Sequence, residues 1–107
     1  MMLGEKMAAA GFDVNVDRQG VLWLSGELDM RATDAFAAAA GAIPETEGDV
    51  IVDLSRLEFI DSSGIRAILE LGVPGRRLIL RGPSPRVKKV LDLTGIIGRR
   101  GITLADD

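Results

Sequence analysis

The stretch DVIVDLSRLEFIDSSGIRAIL, residues 49–69, decides the expected fold because its hydrophobic pattern changes part-way along. Its first part, DVIVDL at 49–54, is nearly continuously apolar, which is typical of a strand covered on both faces. The following SRLEFID is expected to be a short connection. Ile65, Ile68 and Leu69 then follow the i, i+3, i+4 spacing of one buried helix face. We therefore predict a buried strand that leads into a helix.

Upstream, the sequence predicts an antiparallel hairpin followed by a helix. FDVNV at 12–16 alternates apolar and polar residues, as a half-buried strand does. DRQG supplies a turn, and VLWLSG at 21–26 forms the return strand. TDAFAAAA at 33–40 is rich in alanine and favours a helix. Thr33 or Asp29 could cap the start of that helix.

Downstream, a strand, a helix and a short apolar segment complete the pattern. RLILRG at 77–82 is typical of a strand, and ITL at 102–104 is either an edge strand or part of the tail. Ser84 before Pro85 marks the start of the last helix, and Gly95 marks its end. Its inner face is expected to consist of Val87, Val90, Leu91 and Thr94.

The predicted element order, β-β-α-β-α-β-α, indicates an α/β fold. A helix between two strands implies a right-handed crossover and parallel pairing. We therefore expect a mixed sheet, antiparallel at the N-terminal hairpin and parallel through the crossovers, packed with three to four helices. A length of 107 residues suits one domain over residues 1–107, because it can bury one core but not two.

The composition excludes several classes of site. The chain has no cysteine and no histidine, so it lacks disulfides, thiolate metal sites and the usual general base. No apolar run is long enough to span a membrane. The start, MMLGEKMAAAGF, lacks the layout of a signal peptide. We expect a cytoplasmic protein with no membrane partner.

The charge is unevenly distributed along the chain. Residues 1–64 hold 4 Lys and Arg against 12 Asp and Glu, whereas residues 65–107 hold 9 against 4. A basic half can bind nucleic acid. However, these cations have no aromatic neighbours on which bases could stack. A solvated basic surface, without direct nucleic-acid binding, is the favoured interpretation.

The turn Asp61-Ser62-Ser63-Gly64 is the candidate functional site. Its residues could simply cap the helix that follows. Alternatively, a serine there could carry a phosphate, which the unpaired amides and partial positive charge of a helix N-terminus would stabilise. Gly64 would leave room for a partner or nucleotide. Asp29 follows the neighbouring strand, and strand ends of a parallel pair meet at one edge, where open α/β sheets place their sites.

No catalytic, cofactor-binding or metal-binding residue is predicted. The sequence contains neither a GxSxG elbow nor a GxxxxGK[ST] phosphate loop. Asp53, Glu58 and Asp61 are close in sequence but do not form an ordered ligand set. Asp53, at the end of a buried strand, is expected to accept backbone N–H bonds from the following segment.

Three stretches resemble the STAS domain, in particular bacterial anti-sigma factor antagonists: LSGELDMRATDAF, VIVDLSRLEFIDSSGIRAIL and LILRGPSPRVKKVLDLTGI. They occur in family order and cover most of residues 21–97. The resemblance implies a phosphorylation switch at Ser62. An ATP-dependent serine kinase, itself the anti-sigma factor, would phosphorylate it, and a serine phosphatase would reverse the reaction. Asp61, Ser63, Gly64, Asp29 and Thr33 would flank the phosphorylated serine and bind the partner.

One segment departs from the family pattern. IRAILELGVPGRR is about one helical turn shorter than usual, which affects a helix that commonly contacts the partner. This departure leaves the identity of the partner open. An alternative function is a non-switching STAS subunit of a larger assembly, such as a lipid-transport complex or a signalling scaffold. A third hypothesis, an enzyme or nucleotide hydrolase, is disfavoured because the sequence lacks its motifs.

Overall fold

The computed structural model describes residues 5–9, 11–43, 48–99 and 101–105, which form one six-stranded sheet with helices. The strands are adjacent in chain order. They are β1 (Glu5–Ala9), β2 (Phe12–Val16), β3 (Leu22–Leu28), β4 (Gly48–Ile60), β5 (Arg76–Arg81) and β6 (Ile102–Leu104). The helices are a 3-10 turn (Met30–Ala32), α1 (Thr33–Ala40), α2 (Ser62–Leu69) and α3 (Pro85–Thr94).

The predicted mixed α/β fold is confirmed. β2 and β3 form the antiparallel hairpin, and β3 to β6 are mutually parallel. In the hairpin turn, Asp17 Oδ1 accepts the amides of Gln19 and Val21, and Gly20 has a φ of +82°. Residues 102–104 form the edge strand β6, so they are not simply tail.

The hairpin does not open the sheet, contrary to our expectation, because β1 precedes it. β1 pairs antiparallel with β2, with Met7 opposite Val14. Its sequence, EKMAA, has no alternating pattern. Backbone hydrogen bonds to the free edge of β2 are available to almost any sequence, which explains why hydrophobic periodicity did not reveal this strand.

β4 is longer than predicted, since the segment expected to be a connection continues the strand to Ile60. The register between β3 and β4 shifts twice, and β4 holds the extra residues. These bulges place Leu54, Leu57 and Ile60 in the core at intervals of three. A regular strand alternates every second residue, so this spacing hid the strand in the sequence.

The helix boundaries follow the predicted signals. Ser84 Oγ accepts the amide of Val87 at the start of α3, and Gly95 ends it in the left-handed conformation. Val87 and Leu91 are buried, but Thr94 is exposed, so its assignment to the inner face was wrong. Thr94 Oγ1 instead donates to the carbonyl of Leu91. The hydroxyl of Thr94 therefore has its hydrogen-bond partner within α3.

The register separates the two faces of the sheet. Leu22, Val52 and Leu80 lie opposite one another and are fully buried in the core with Phe36 and Ile68. The next row along the strands consists of the cross-strand neighbours Asn15, Trp23, Asp53 and Arg81. One face is therefore apolar and packed, and the other carries a polar row.

Asp53 stands in that polar row and is itself only 5% exposed. Its Oδ1 accepts the amide and the hydroxyl of Ser55, as expected for the amide, and its Oδ2 accepts Arg81 Nε at 2.7 Å. Arg81 also lies 4.9 Å from the centre of the Trp23 ring. The network holds β3, β4 and β5 together, so Asp53 has structural partners.

Candidate functional site

The turn between β4 and α2 is built by Asp61. Its backbone is extended, and its Oδ1 accepts the amides of Ser63 at 2.9 Å and Gly64 at 3.2 Å. This is the geometry of a helix N-cap. The aspartate thus caps α2, and the hydroxyls of Ser62 and Ser63 are not used for that purpose.

Ser62 is the first residue of α2 and is exposed. Neither its hydroxyl nor that of the half-buried Ser63 forms a hydrogen bond within the described part of the chain. The amides of the first helical turn are satisfied by Asp61 without them. Ser62 is consequently accessible, and its hydroxyl is not required for the local fold.

Gly64 is buried, contrary to our expectation that it leaves room for a partner. A Cβ at this position would lie 2.5 Å from the carbonyl oxygen of Leu28 and 2.6 Å from Cγ1 of Ile60. The missing side chain therefore allows α2 to pack against the ends of β3 and β4. The close approach is within the chain.

The strand ends converge as predicted. Leu28 and Ile60 are the last paired residues of β3 and β4, and the amide of Asp61 donates to the carbonyl of Leu28. Asp29 and Asp61 therefore follow neighbouring strands at one edge of the sheet. Each carboxylate caps the helical turn that comes after it.

Asp29 interacts with its own turn. Its Oδ1 accepts the amide of Arg31 and its Oδ2 accepts Arg31 Nη2, both at 3.0 Å. The hydrogen bond from the guanidinium of Arg31 holds the pKa of Asp29 below its ordinary value. Neither candidate caps α1, contrary to our expectation: Asp29 caps the 3-10 turn before it, and Thr33 Oγ1 donates to the carbonyl of Met30.

A cleft of about 570 Å³ separates α1 from α2 and opens beside Ser62. Its lining combines serine and threonine hydroxyls, two charged side chains and an apolar floor. Thr33 contributes to it from α1, but Asp29 is not among the lining residues. The lining residues are Met30, Thr33, Phe36, Ala37, Ala40, Ser62, Ser63, Arg66, Ala67, Glu70 and Leu71.

Sequence reasoning did not single out Met30 and Arg66, which both line this cleft. Met30 is 74% exposed and begins the 3-10 turn that follows β3. Arg66 follows Ser62 by one helical turn. The i, i+4 spacing from Ser62 was the signal that could have identified Arg66.

The cleft has features of a protein-docking surface. In the described ranges, no group of three or more acidic side chains could hold a metal ion. In the same ranges, no helix has the length and apolar character needed to cross a membrane. Hydroxyls, an exposed methionine and a charged helix face are what a partner protein could contact.

Comparison with known proteins identifies the fold family. A family model described as "Mlab, STAS domain" matches residues 12–103. The chain belongs to the STAS-domain family. This confirms the resemblance on which the sequence prediction depended.

Relatives of this STAS domain include anti-sigma factor antagonists. An anti-sigma F factor antagonist from Lysinibacillus sphaericus is 37% identical over 82 residues, covering 71% of this chain and 70% of that protein. The structure of the anti-sigma factor antagonist SpoIIAA in its unphosphorylated form is 29% identical, with a TM-score of 0.59 over 90% of this chain and 89% of that one.

A second solved structure shares the fold. It is an anti-sigma factor antagonist from Mycobacterium paratuberculosis, 20% identical with a TM-score of 0.60, covering 96% of this STAS domain and 86% of that chain. At this identity the likeness shows a shared fold. The chain is homologous to anti-sigma factor antagonists.

Proposed function

We propose that this STAS domain is an anti-sigma factor antagonist whose partner is switched by phosphorylation of Ser62. The unphosphorylated form binds a kinase-type anti-sigma factor and frees a sigma factor. ATP-dependent phosphorylation by that partner releases the antagonist, and a serine phosphatase restores it. The observation that carries the proposal is the exposed, unbonded hydroxyl of Ser62 at the start of α2.

The position tolerates a phosphate. Negative charge at a helix N-terminus is stabilised by roughly 0.3–1 kcal/mol at an exposed site. Asp61 continues to cap the helix, because its hydrogen bonds do not involve the Ser62 hydroxyl. We therefore expect modification of Ser62 to leave the fold intact while altering the surface.

The same phosphate disrupts binding. It adds nearly two negative charges next to Asp61 in the chain, on a residue that lines the cleft. Like charge against an acidic or desolvated partner costs several kcal/mol. This corresponds to a hundredfold or greater loss of affinity, which is enough to release a complex.

Ser63 and Thr33 surround Ser62 at the cleft and would contact the partner. Asp29 would act by shaping the neighbouring turn, and Gly64 by fixing α2 against the sheet. The antagonist itself would supply no catalytic group, bind no cofactor and need no nucleic acid or membrane. An ATP-dependent kinase partner places this function in the cytoplasm.

The homologues support this function. One relative is named for antagonising an anti-sigma factor, and a solved relative is described in its unphosphorylated form. These descriptions support an anti-sigma factor as the partner and phosphorylation as the controlling modification.

Incubation with a cognate anti-sigma kinase and ATP tests the proposal. Mass spectrometry is expected to locate one phosphate on Ser62. Ser62→Ala should abolish the transfer, whereas the neighbouring Ser63→Ala should retain it. Ser62→Asp should weaken binding to the anti-sigma factor. A phosphate located outside residues 62–63, or transfer retained in Ser62→Ala, would overturn the assignment.

A second candidate function is a non-switching subunit of a larger assembly, such as a lipid-transport complex or a signalling scaffold. The apolar floor of the cleft and the exposed Met30 favour it, since both could be covered permanently by a partner. Affinity purification distinguishes the two functions. Recovery of a membrane ATPase would favour the subunit, and recovery of a small kinase would favour the switch.

A further inference from the structure

Arg66 is a positively charged residue near Ser62 on α2. It lies one helical turn further along α2, and both side chains line the same cleft. Arg66 is exposed and forms no ion pair with any other described residue. It is also the only positively charged side chain among the described residues that line the cleft.

Building on the proposed phosphorylation of Ser62, we propose that the guanidinium of Arg66 binds the phosphate on Ser62. In the unmodified chain its guanidinium is available to an acidic group of the partner. In the phosphorylated chain the guanidinium pairs with the phosphate on Ser62, because an anion four residues before a cation on a helix is the favourable order. Arginine binds phosphate through strong charge-assisted hydrogen bonds.

The neighbouring carboxylates compete only weakly with the phosphate for Arg66. The carboxylate of Asp61 is held by backbone amides, and Asp29 is paired with Arg31. Glu70 lines the cleft one turn after Arg66, but a cation preceding an anion is the weaker order on a helix. The α1 residues that line the cleft are uncharged.

Phosphorylation would then change the partner-facing surface twice. It adds negative charge at Ser62 and withdraws the positive charge of Arg66. An acidic group on the anti-sigma factor would lose its partner and meet a phosphate in the same step. This predicts that Arg66 contributes to the affinity ratio between the two forms.

Phosphoserine incorporated at position 62 during translation tests the contact without any kinase. Phosphorus NMR over a pH titration measures the second pKa of the phosphate. Arg66→Gln is expected to raise this pKa, because loss of the cation disfavours the dianion. Arg66→Lys should retain part of the effect, and Arg86→Gln, an exposed arginine on α3, should leave the pKa unchanged.

An unchanged phosphate pKa in Arg66→Gln would overturn the inference about Arg66, while leaving kinase-dependent phosphorylation of Ser62 to be judged by mass spectrometry. Conversely, if Arg66→Gln shifts the phosphate pKa but no anti-sigma kinase phosphorylates the chain, the proposed function is contradicted and the inference about Arg66 is not.

Binding to the anti-sigma factor provides a second measurement. Arg66→Gln should weaken the unmodified complex by roughly two- to fivefold, the range of one exposed charge pair, and change the phosphorylated form less. The ratio between the two forms should therefore shrink, and it should not shrink in Arg86→Gln. An unaltered ratio in Arg66→Gln would contradict the proposed role.

Discussion

Oδ1 of Asp61 lies 2.9 Å from the amide nitrogen of Ser63, so the cap of α2 is separate from the serine next to it. Asp61→Ala should lower the free energy of unfolding by about 1 kcal/mol, the usual cost of removing an N-cap. Ser62→Ala should change it by less than about 0.5 kcal/mol, as for other exposed sites. Urea denaturation measures both. Equal losses in the two variants would show that Ser62 has a structural role.

Gly64→Ala should destabilise the fold. The added Cβ would lie 2.5 Å from the carbonyl oxygen of Leu28, and α2 would have to move away from the strand ends. Overpacking of this kind costs about 1–3 kcal/mol. Gly41→Ala is the matched control, since its nearest atoms would be 3.5 Å away. Thermal and urea unfolding compare them, and similar stabilities would argue against close packing at Gly64.

Two arginines of β5 pair with aspartates directly opposite them on β4 but differ in burial. Arg81 meets the buried Asp53, whereas Arg77 meets Asp49 at the surface. Arg81→Ala should cost about 1–3 kcal/mol, because it leaves a buried carboxylate short of a partner. Arg77→Ala should cost less than about 1 kcal/mol. Urea unfolding of both variants tests this, and the reverse order would contradict it.

Acid should unfold the protein partly through Asp53. Burial raises the pKa of this carboxyl, but hydrogen bonds from Ser55 and Arg81 outweigh burial and bring it below the ordinary value of 3.8. Because the folded state lowers this pKa, its contribution to stability is complete above pH 3.8. It is lost as the pH falls from there through the folded pKa.

The measurement is the free energy of unfolding in urea at several pH values between 7 and 3. Asp53→Asn should be less stable than the parent chain near neutral pH and lose less stability below about pH 4. The exposed Asp34→Asn serves as the control. If the free energy of unfolding of Asp53→Asn falls as steeply with acid as that of the parent chain, groups other than Asp53 cause the loss.

Local signals located most of the elements. The hairpin turn at Asp17 and Gly20, and the helix bounded by Ser84 and Gly95, were predictable because their hydrogen bonds close within a few residues. The length of β4 was not, since its bulges depend on the register with β3. β1 was missed because an edge strand is stabilised by backbone pairing and needs no side-chain pattern.

The geometry of the candidate site was predicted in outline, and its function stays a prediction. The sequence singled out residues 61–64 and the convergence of Asp29 with them. It did not decide which residue caps α2, since aspartate and serine are both good caps. It also assigned the space at Gly64 to a partner, when the backbone of Leu28 fills it.

The sequence by itself determined the order of the strands and helices from β2 to α3, the turn that carries Ser62 and the membership of the STAS family, because these depend on neighbours along the chain. Only the tertiary structure decided that Asp61 caps α2 without the Ser62 hydroxyl and that Gly64 allows α2 to pack against the strand ends. It also decided that Arg66 and Met30 line a cleft with Ser62. Those facts depend on how α2 sits against α1 and the strand ends. That placement is set by contacts between residues far apart in the chain, which no local pattern contains.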